Sequence, residues 1–256
     1  MSDDTAGGFR GRSYVVLGAT GGIGREVSQR LSEAGARLVV GARTKESVEE
    51  LARELDATPF PLDARSFDEV EECASEAVDA RGRLDGIVNA VGSIMLKPAH
   101  VTREAELRDV LDTNLVSAFA AARAGVRGME EGDGGSIVLF STAAVRSGIP
   151  NHEAIAAAKG GVEGLTRAVA ATYAPAGIRC NAVAPGLTRT PGAERIFGSE
   201  TAREASRAMH PLGRLGEPED IASAVLWLLH PDQSWVTGQV LGVDGGLGTL
   251  RRAPGR

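Results

Sequence analysis

The chain is poor in the residues that carry several common chemistries. Its two cysteines, Cys73 and Cys180, lie far apart and lack metal-ligand spacing. Neither a disulfide framework nor a metal centre is therefore expected, and a reducing compartment fits best. Aromatics make up only 4% of the residues, and just two are tyrosines, Tyr14 and Tyr173. No apolar run reaches the ~18 residues of a membrane span. The stretch from Met1 to Arg12 is polar and glycine-rich and lacks the apolar segment of a signal peptide. A flexible tail over 1–11 and a cytoplasmic location are the expectations. Lys and Arg total 28 against 34 Asp and Glu, for a net charge of −6, and the cations are scattered. Nucleic acid is thus disfavoured as a partner. No linker, charge block, short repeat or low-complexity tract divides the chain. One domain over 12–250 is expected, with a short tail over 251–256.

What is present is an alternation of short apolar runs and longer helical stretches. The runs Tyr14–Leu17, Arg37–Val40, Thr58–Leu62, Gly86–Asn89, Gly135–Phe140, Ile178–Val183 and Val240–Val243 are almost continuously apolar. That pattern suits parallel strands covered on both faces. Between them, helices are expected over Gly24–Glu33, Lys45–Leu55, Phe67–Ala80, Glu104–Gly125, Glu153–Ala174 and Glu219–Leu229. Gly35, Gly82 and Gly177 stand where helix C-terminal glycines stand, and Ser66 is placed to cap the third helix. The expected fold is α/β: a single-domain, doubly wound, Rossmann-like parallel sheet of about seven strands, with helices on both faces. The Glu104–Gly125 and Glu153–Ala174 helices are more apolar than one buried face requires. They either pack wholly on the sheet or pair between copies in a homodimer or homotetramer.

Gly18-Ala-Thr20-Gly-Gly22-Ile23-Gly24 follows the first strand and opens the first helix. Glycines there let the backbone approach a diphosphate, and the free N–H groups of the helix start face its charge. The second strand ends in Val40-Gly-Ala-Arg43-Thr44 without an acid to hold a ribose 2′-hydroxyl. Arg43 is positioned to meet a 2′-phosphate instead, so NADP(H) is expected over NAD(H). The plainer reading makes Arg43 a solvated helix-start residue. Asp63 is placed to accept from the adenine amino group, and Asn89 and Gly92 to border the adenosine.

With these motifs the chain resembles the short-chain dehydrogenase/reductase family from about Arg12 to Gly248. The turn Leu17-Gly18-Ala-Thr-Gly-Gly22-Ile-Gly24 is similar to the family's Thr-Gly-x-x-x-Gly-x-Gly, with leucine for the first threonine. Asn89-Ala90-Val91-Gly92 stands for Asn-Asn-Ala-Gly. Asn114 matches the family's structural and catalytic asparagine. The segment from Ile178 through Pro185 to Gly186 matches the strand and turn that cover the nicotinamide. Thr188 joins the cofactor contacts, and Thr190 matches the threonine that binds the carboxamide. Pro211–Asp220 and Val236–Gly246 are closely similar to the family's C-terminal segments.

The active-site motif departs from the family. Counting back from Lys159, the family's serine position holds Thr142 and its tyrosine position holds Ile155. Threonine keeps a hydroxyl, but isoleucine offers neither donor nor acceptor. In the family, the lysine lowers the tyrosine pKa and contacts the nicotinamide ribose, while the tyrosine passes the proton. Tyr14 and Tyr173 are no substitutes: Tyr14 begins the first strand, and Tyr173 lies ~27 Å further along the helix at 1.5 Å per residue. His152 falls on the side of Ile155 if the helix starts near Asn151, and there it could act as base or neutral donor. Its plainer role is a surface loop histidine. Glu153 is a less favourably placed carboxylate, and Ser141 is expected to pack at a strand end.

The resemblance thus implies an NADP(H)-dependent oxidoreductase acting on a carbonyl or hydroxyl of a small molecule. Its altered proton donor is His152, water or the substrate. A cofactor-binding subunit without turnover, or a non-redox cyclase, dehydratase or isomerase, remain alternatives. Ser93–Pro98 and Thr190–Pro211 are expected to flank the pocket. Ile94, Met95, Ile196 and Phe197 would make it apolar, with Met209 and His210 contributing. Thr190–Pro211 is expected to act as a lid.

Overall fold

The first strand, β1 (Ser13–Leu17), is buried at every position. That burial accounts for its unbroken apolar run, because both faces of the sheet are covered. In this computed structural model, residues 7–130, 132–193 and 200–250 are described. The sheet adds β2 (Arg37–Ala42), β3 (Thr58–Pro61), β4 (Gly86–Asn89), β5 (Gly135–Phe140), β6 (Ile178–Pro185) and β7 (Val240–Val243), in the order β3-β2-β1-β4-β5-β6-β7. All neighbours pair in parallel. The winding direction reverses between β1 and β4, which opens a crevice at the carboxyl ends of those strands.

Successive strand residues point to opposite faces, and each face has its own core. Val15 and Leu17 join Val70 and Cys73 of α3 (Phe67–Arg81), Ala121 and Val126 of α5 (Ser117–Met129) and Val162 and Val169 of α7 (Glu153–Tyr173). Tyr14 and Val16 join Val27 and Leu31 of α1 (Gly22–Glu33), Val48 and Leu51 of α2 (Lys45–Leu55) and Ile221 and Val225 of α9 (Pro218–Leu229). Burial pushes the thiols of Cys73 and Cys180 up to about 12, and both are free.

Several expected boundaries move. The Glu104–Gly125 helix is not continuous: α4 (Glu104–Leu111) passes into a π-helical turn, Asp112–Val116, before α5. The side-chain amide of Asn114 donates to Val110 O at 2.9 Å, taking the carbonyl that its own backbone N–H would use in an α-helix. α1 begins at Gly22 rather than Gly24, and α9 begins one residue early at Pro218, because proline fits a first helical turn. α7 stops at Tyr173 and continues as a 3₁₀ turn, Ala174–Ala176. β6 runs on to Pro185, whereas β3 stops at Pro61. Ser66 caps α3 as expected, accepting from Glu69 N at 3.3 Å. The region expected to be a lid holds α8 (Glu200–Met209), a helix without a buried residue. Its apolar residues, mostly alanine, do line one face, but none of them is buried. α6 (Ala144–Ser147) is a short turn after β5. No described helix is long and apolar enough to cross a membrane.

Candidate active site

The turn after β1 is built by close backbone approach. Gly18 has φ +74°, and a Cβ on it would lie 2.9 Å from the backbone carbon of Ala90, in the loop after β4. A Cβ on Gly24 would lie 2.2 Å from Gly18 O. A side chain at Gly18 would force the turn away from the β4 loop, and one at Gly24 would break the turn itself. Thr20 and Ile23 are half-buried, and Ile23 packs on the α1 core. A Cβ on Gly22 would meet Thr190 Cγ2 at 2.8 Å. The segment after β6 therefore closes directly onto the helix start, and the two ends of the expected cofactor site meet.

At the end of β2, Arg43 is exposed, and no ion pair engages it among the described residues. Asp63 is engaged: Arg65 donates to it from its backbone N, Nε and NH2 at 3.0, 2.9 and 2.6 Å. These bonds, with Arg43 nearby, hold the carboxyl below the usual carboxylate range. Asp63 N itself donates to Glu69 Oε2 at 2.8 Å. Arg65 was not legible as a partner, since the ion pair depends on a tight turn. Asn89 is buried and spends its amide internally, donating to Ser117 Oγ and accepting from Val91 N, both at 3.2 Å. It thereby shapes the loop that carries Gly92.

Asn114 and Lys159 converge beside that loop. Asn114 is 1% exposed. It accepts from Ser93 N at 3.2 Å and donates to Ser93 Oγ at 3.1 Å. The π turn aims this amide at the β4 loop. Lys159, 7% exposed on α7, brings its Nζ to the same place: a Cβ on Gly92 would lie 3.0 Å from Asn114 Oδ1 and 3.6 Å from Lys159 Nζ. Burial lowers the Lys159 amine from 10.5 to about 8.

Ile155 precedes Lys159 by one turn and is buried in an apolar cluster with Val110, Ala154 and Ala158, against which Met95 and Leu111 pack. Thr142 is half-buried after β5, and its Oγ1 accepts from Ala144 N at 3.3 Å. Ser141 does more than pack at a strand end. Its hydroxyl donates to Glu163 Oε1 at 2.9 Å, tying β5 to α7 one turn beyond Lys159. The condition placed on His152 is not met: Asn151 has φ +63°, α7 starts at Glu153, and His152 is its N-cap. Helical register therefore does not carry His152 to the Ile155 side. Its Nδ1 lies 2.8 Å from Pro150 O, which leaves Nε2 uncommitted. Glu153 is exposed and accepts from Ala99 N at 3.3 Å.

After β6, Pro185 and Gly186 are half-buried, and Thr188 donates to Gly186 O at 3.1 Å, closing the turn on itself. His210 is not a pocket residue. It is 2% exposed, donates from Nδ1 to Ser206 O at 2.7 Å and accepts at Nε2 from Leu187 N at 3.1 Å. Both nitrogens pin α8 to the β6 turn, which no sequence signal disclosed. Met209 and Ile94 are about half exposed, whereas Met95 packs beside Ile155. Ile196 and Phe197 lie outside the described residues. Tyr14 is buried at the opposite, N-terminal end of the sheet, and Tyr173 ends α7.

The family model described as enoyl-(acyl carrier protein) reductase matches residues 18–248. The 3-oxoacyl-(acyl-carrier-protein) reductase FabG of Thermotoga maritima is 35% identical over 246 residues, covering 93% of this chain and 98% of its own. A 2,5-dichloro-2,5-cyclohexadiene-1,4-diol dehydrogenase of Sphingobium indicum is 36% identical over 242 residues, covering 92% and 96%. Among solved structures, a short-chain type dehydrogenase/reductase from Mycobacterium ulcerans superposes with a TM-score of 0.91 at 30% identity, covering 95% of this chain and 92% of that one. With the parallel sheet, the glycine turn and the Asn114–Lys159 pair in place, the chain belongs to the short-chain dehydrogenase/reductase family, whose members are nicotinamide-dependent oxidoreductases.

Proposed function

We propose that the protein is an NADP(H)-dependent oxidoreductase acting on a carbonyl or hydroxyl group of an apolar small molecule. It works without a tyrosine proton donor. The convergence of Asn114 and Lys159 on Gly92, beside the glycine turn, carries this reading. The residues fit the dinucleotide. Gly18 and Gly24 let the turn fold as tightly as a diphosphate-binding turn must, Arg43 is a cation without an ion pair among the described residues near where a 2′-phosphate would lie, and Thr190, two residues after Thr188, stands against the helix start. When bound, the nicotinamide exchanges a hydride with the carbonyl carbon. Lys159 would grip the ribose hydroxyls, and Asn114 would hold the β4 loop in place. Two relatives are a 3-oxoacyl-(acyl-carrier-protein) reductase and a 2,5-dichloro-2,5-cyclohexadiene-1,4-diol dehydrogenase.

Ile155 stands where the family resemblance places tyrosine. A general acid is worth roughly 10²–10⁴-fold, or about 3–5 kcal/mol of barrier, and position 155 cannot supply it. A water or the substrate itself takes that part, or His152 turns in from the N-cap of α7, its Nε2 without a bond among the described residues, and Thr142 orients the carbonyl. The apolar packing of Ile155 favours a second reading, a cofactor-binding subunit without turnover. We also propose a cytoplasmic homodimer or homotetramer; Phe119 of α5 is 49% exposed and available for pairing.

The test is a fluorescence titration with NADPH and NADH, followed by a ketone and aldehyde panel on wild type and His152→Ala. Tighter NADPH binding and turnover that falls in the variant support the reading. Binding without turnover of any carbonyl supports the second, and binding of neither nucleotide refutes both.

A further inference from the structure

Lysine is scarce here: the three are Lys45, Lys97 and Lys159. Lys45 is exposed with Glu49 at 3.8 Å, and Lys97 pairs with Glu106 at 2.7 Å. Lys159 is buried, and no carboxylate lies within ion-pairing reach of its amine among the described residues. Its surroundings are neutral. The Asn114 amide and the Gly92 backbone approach the amine, and the preceding turn of α7 offers Ile155, Ala154 and Ala158 with Val110 packed on them. The nearest charge along the helix, Glu163, is engaged elsewhere, by Ser141 at 2.9 Å and Arg167 at 4.0 Å. Without a counter-charge or a phenol neighbour, burial favours the neutral amine, and a desolvated lysine is a nucleophile.

We propose that, in the cofactor-free protein, Lys159 is a carbonyl-capturing amine that forms an imine with aldehydes and ketones of apolar small molecules. The proposal rests on the oxidoreductase reading only for this substrate class. The Nζ lone pair attacks the carbonyl carbon, a C–N bond forms, and the carbonyl π pair moves to oxygen. A proton passes from nitrogen to oxygen to give a carbinolamine. The hydroxyl takes a second proton and leaves as water while the nitrogen lone pair makes the C=N bond. One water is released and the oxidation level is unchanged.

The test treats full-length, nicotinamide-free protein at pH 8 with hexanal and sodium cyanoborohydride, whose hydride traps the imine as a secondary amine. Peptide mass mapping locates the hexyl group and separates the N-terminal amine from the lysines. An amine of pKa about 8 is about half neutral there, about 100-fold more than a lysine of ordinary pKa near 10.4. Lys159 is therefore expected to label at least about tenfold faster than Lys45 and Lys97. That advantage should vanish in urea, and Lys159→Arg should remove this adduct alone. Lys159 left unlabelled, labelled no faster than Lys45, or equally favoured in urea overturns the proposal. NADPH-dependent ketone reduction on the same sample separates the two readings. Capture without reduction sinks the oxidoreductase and leaves the imine; reduction with Lys159 unlabelled sinks the imine alone.

Discussion

Asn114 and Lys159 reach the same α-carbon from two different helices: a side chain on Gly92 would stand 3.0 Å from the amide oxygen and 3.6 Å from the amine nitrogen. The β4 loop is thereby clamped between the π turn and α7. Gly92→Ala is expected to push this clamp open and weaken NADPH binding by about tenfold, or about 1.4 kcal/mol. Asn114→Ala leaves Ser93 N and Val110 O without their partner and should cost about 1–3 kcal/mol of stability. Fluorescence titration and urea unfolding measure the two effects.

Lys159 makes stability depend on alkaline pH. Its folded pKa, about 8, lies below the ordinary lysine value of 10.5. Between these values the unfolded chain holds a proton that the folded chain has released, so stability rises with pH across that window. Below about pH 8 both states are protonated and the full cost of the buried ammonium is present, about 3 kcal/mol at 1.36 kcal/mol per unit. Lys159→Met is expected to be the more stable protein at pH 7, with the difference shrinking toward pH 10. Urea unfolding of both proteins at several pH values measures it.

Arg43 lacks an ion pair among the described residues, and Asp63, which feels its charge, is occupied by Arg65. Arg43→Ala is expected to weaken NADPH by about 1.5–3 kcal/mol, roughly 10–100-fold, the worth of a charged hydrogen bond. NADH should change little. Paired titrations decide it, and an equal loss for both nucleotides would remove Arg43 from the 2′-phosphate.

A contrasting change lies at the far end of the sheet. Asp85 is buried and accepts from Arg12 NH1 at 2.8 Å, Arg83 NH2 at 2.6 Å and Ser13 N at 2.8 Å. Asp85→Ala should cost about 2 kcal/mol, because the arginines are partly solvated and only part of a buried pair is lost. Thermal unfolding should shift while nucleotide affinity stays unchanged.

Much of this architecture was legible in the sequence, for identifiable reasons. Strands buried on both faces, such as β1 and β5, write unbroken apolar runs, and Gly18 and Gly24 mark the two points of the turn that tolerate no side chain. Residues set by tertiary contact were not legible. The π turn depends on the Asn114 amide seizing Val110 O, and the apolar face of α8, mostly alanine, covers no core. His210 resembled a pocket residue until its two nitrogens were traced to Ser206 O and Leu187 N. His152 lost its expected place because Asn151 adopts a positive φ, a backbone choice that the residue order alone does not fix. Ile155 and Lys159 do lie on α7, one turn apart and buried, as the helix expected over Glu153–Ala174 implied.

The central claim is that a nicotinamide-dependent reaction proceeds where Ile155 cannot move a proton. Following the loss of NADPH absorbance with a carbonyl panel, on wild type and Ile155→Tyr side by side, tests it most directly. Turnover by the wild type on at least one apolar carbonyl compound is the expected result, with the variant altered in rate. A silent wild type beside an active Ile155→Tyr would contradict the account.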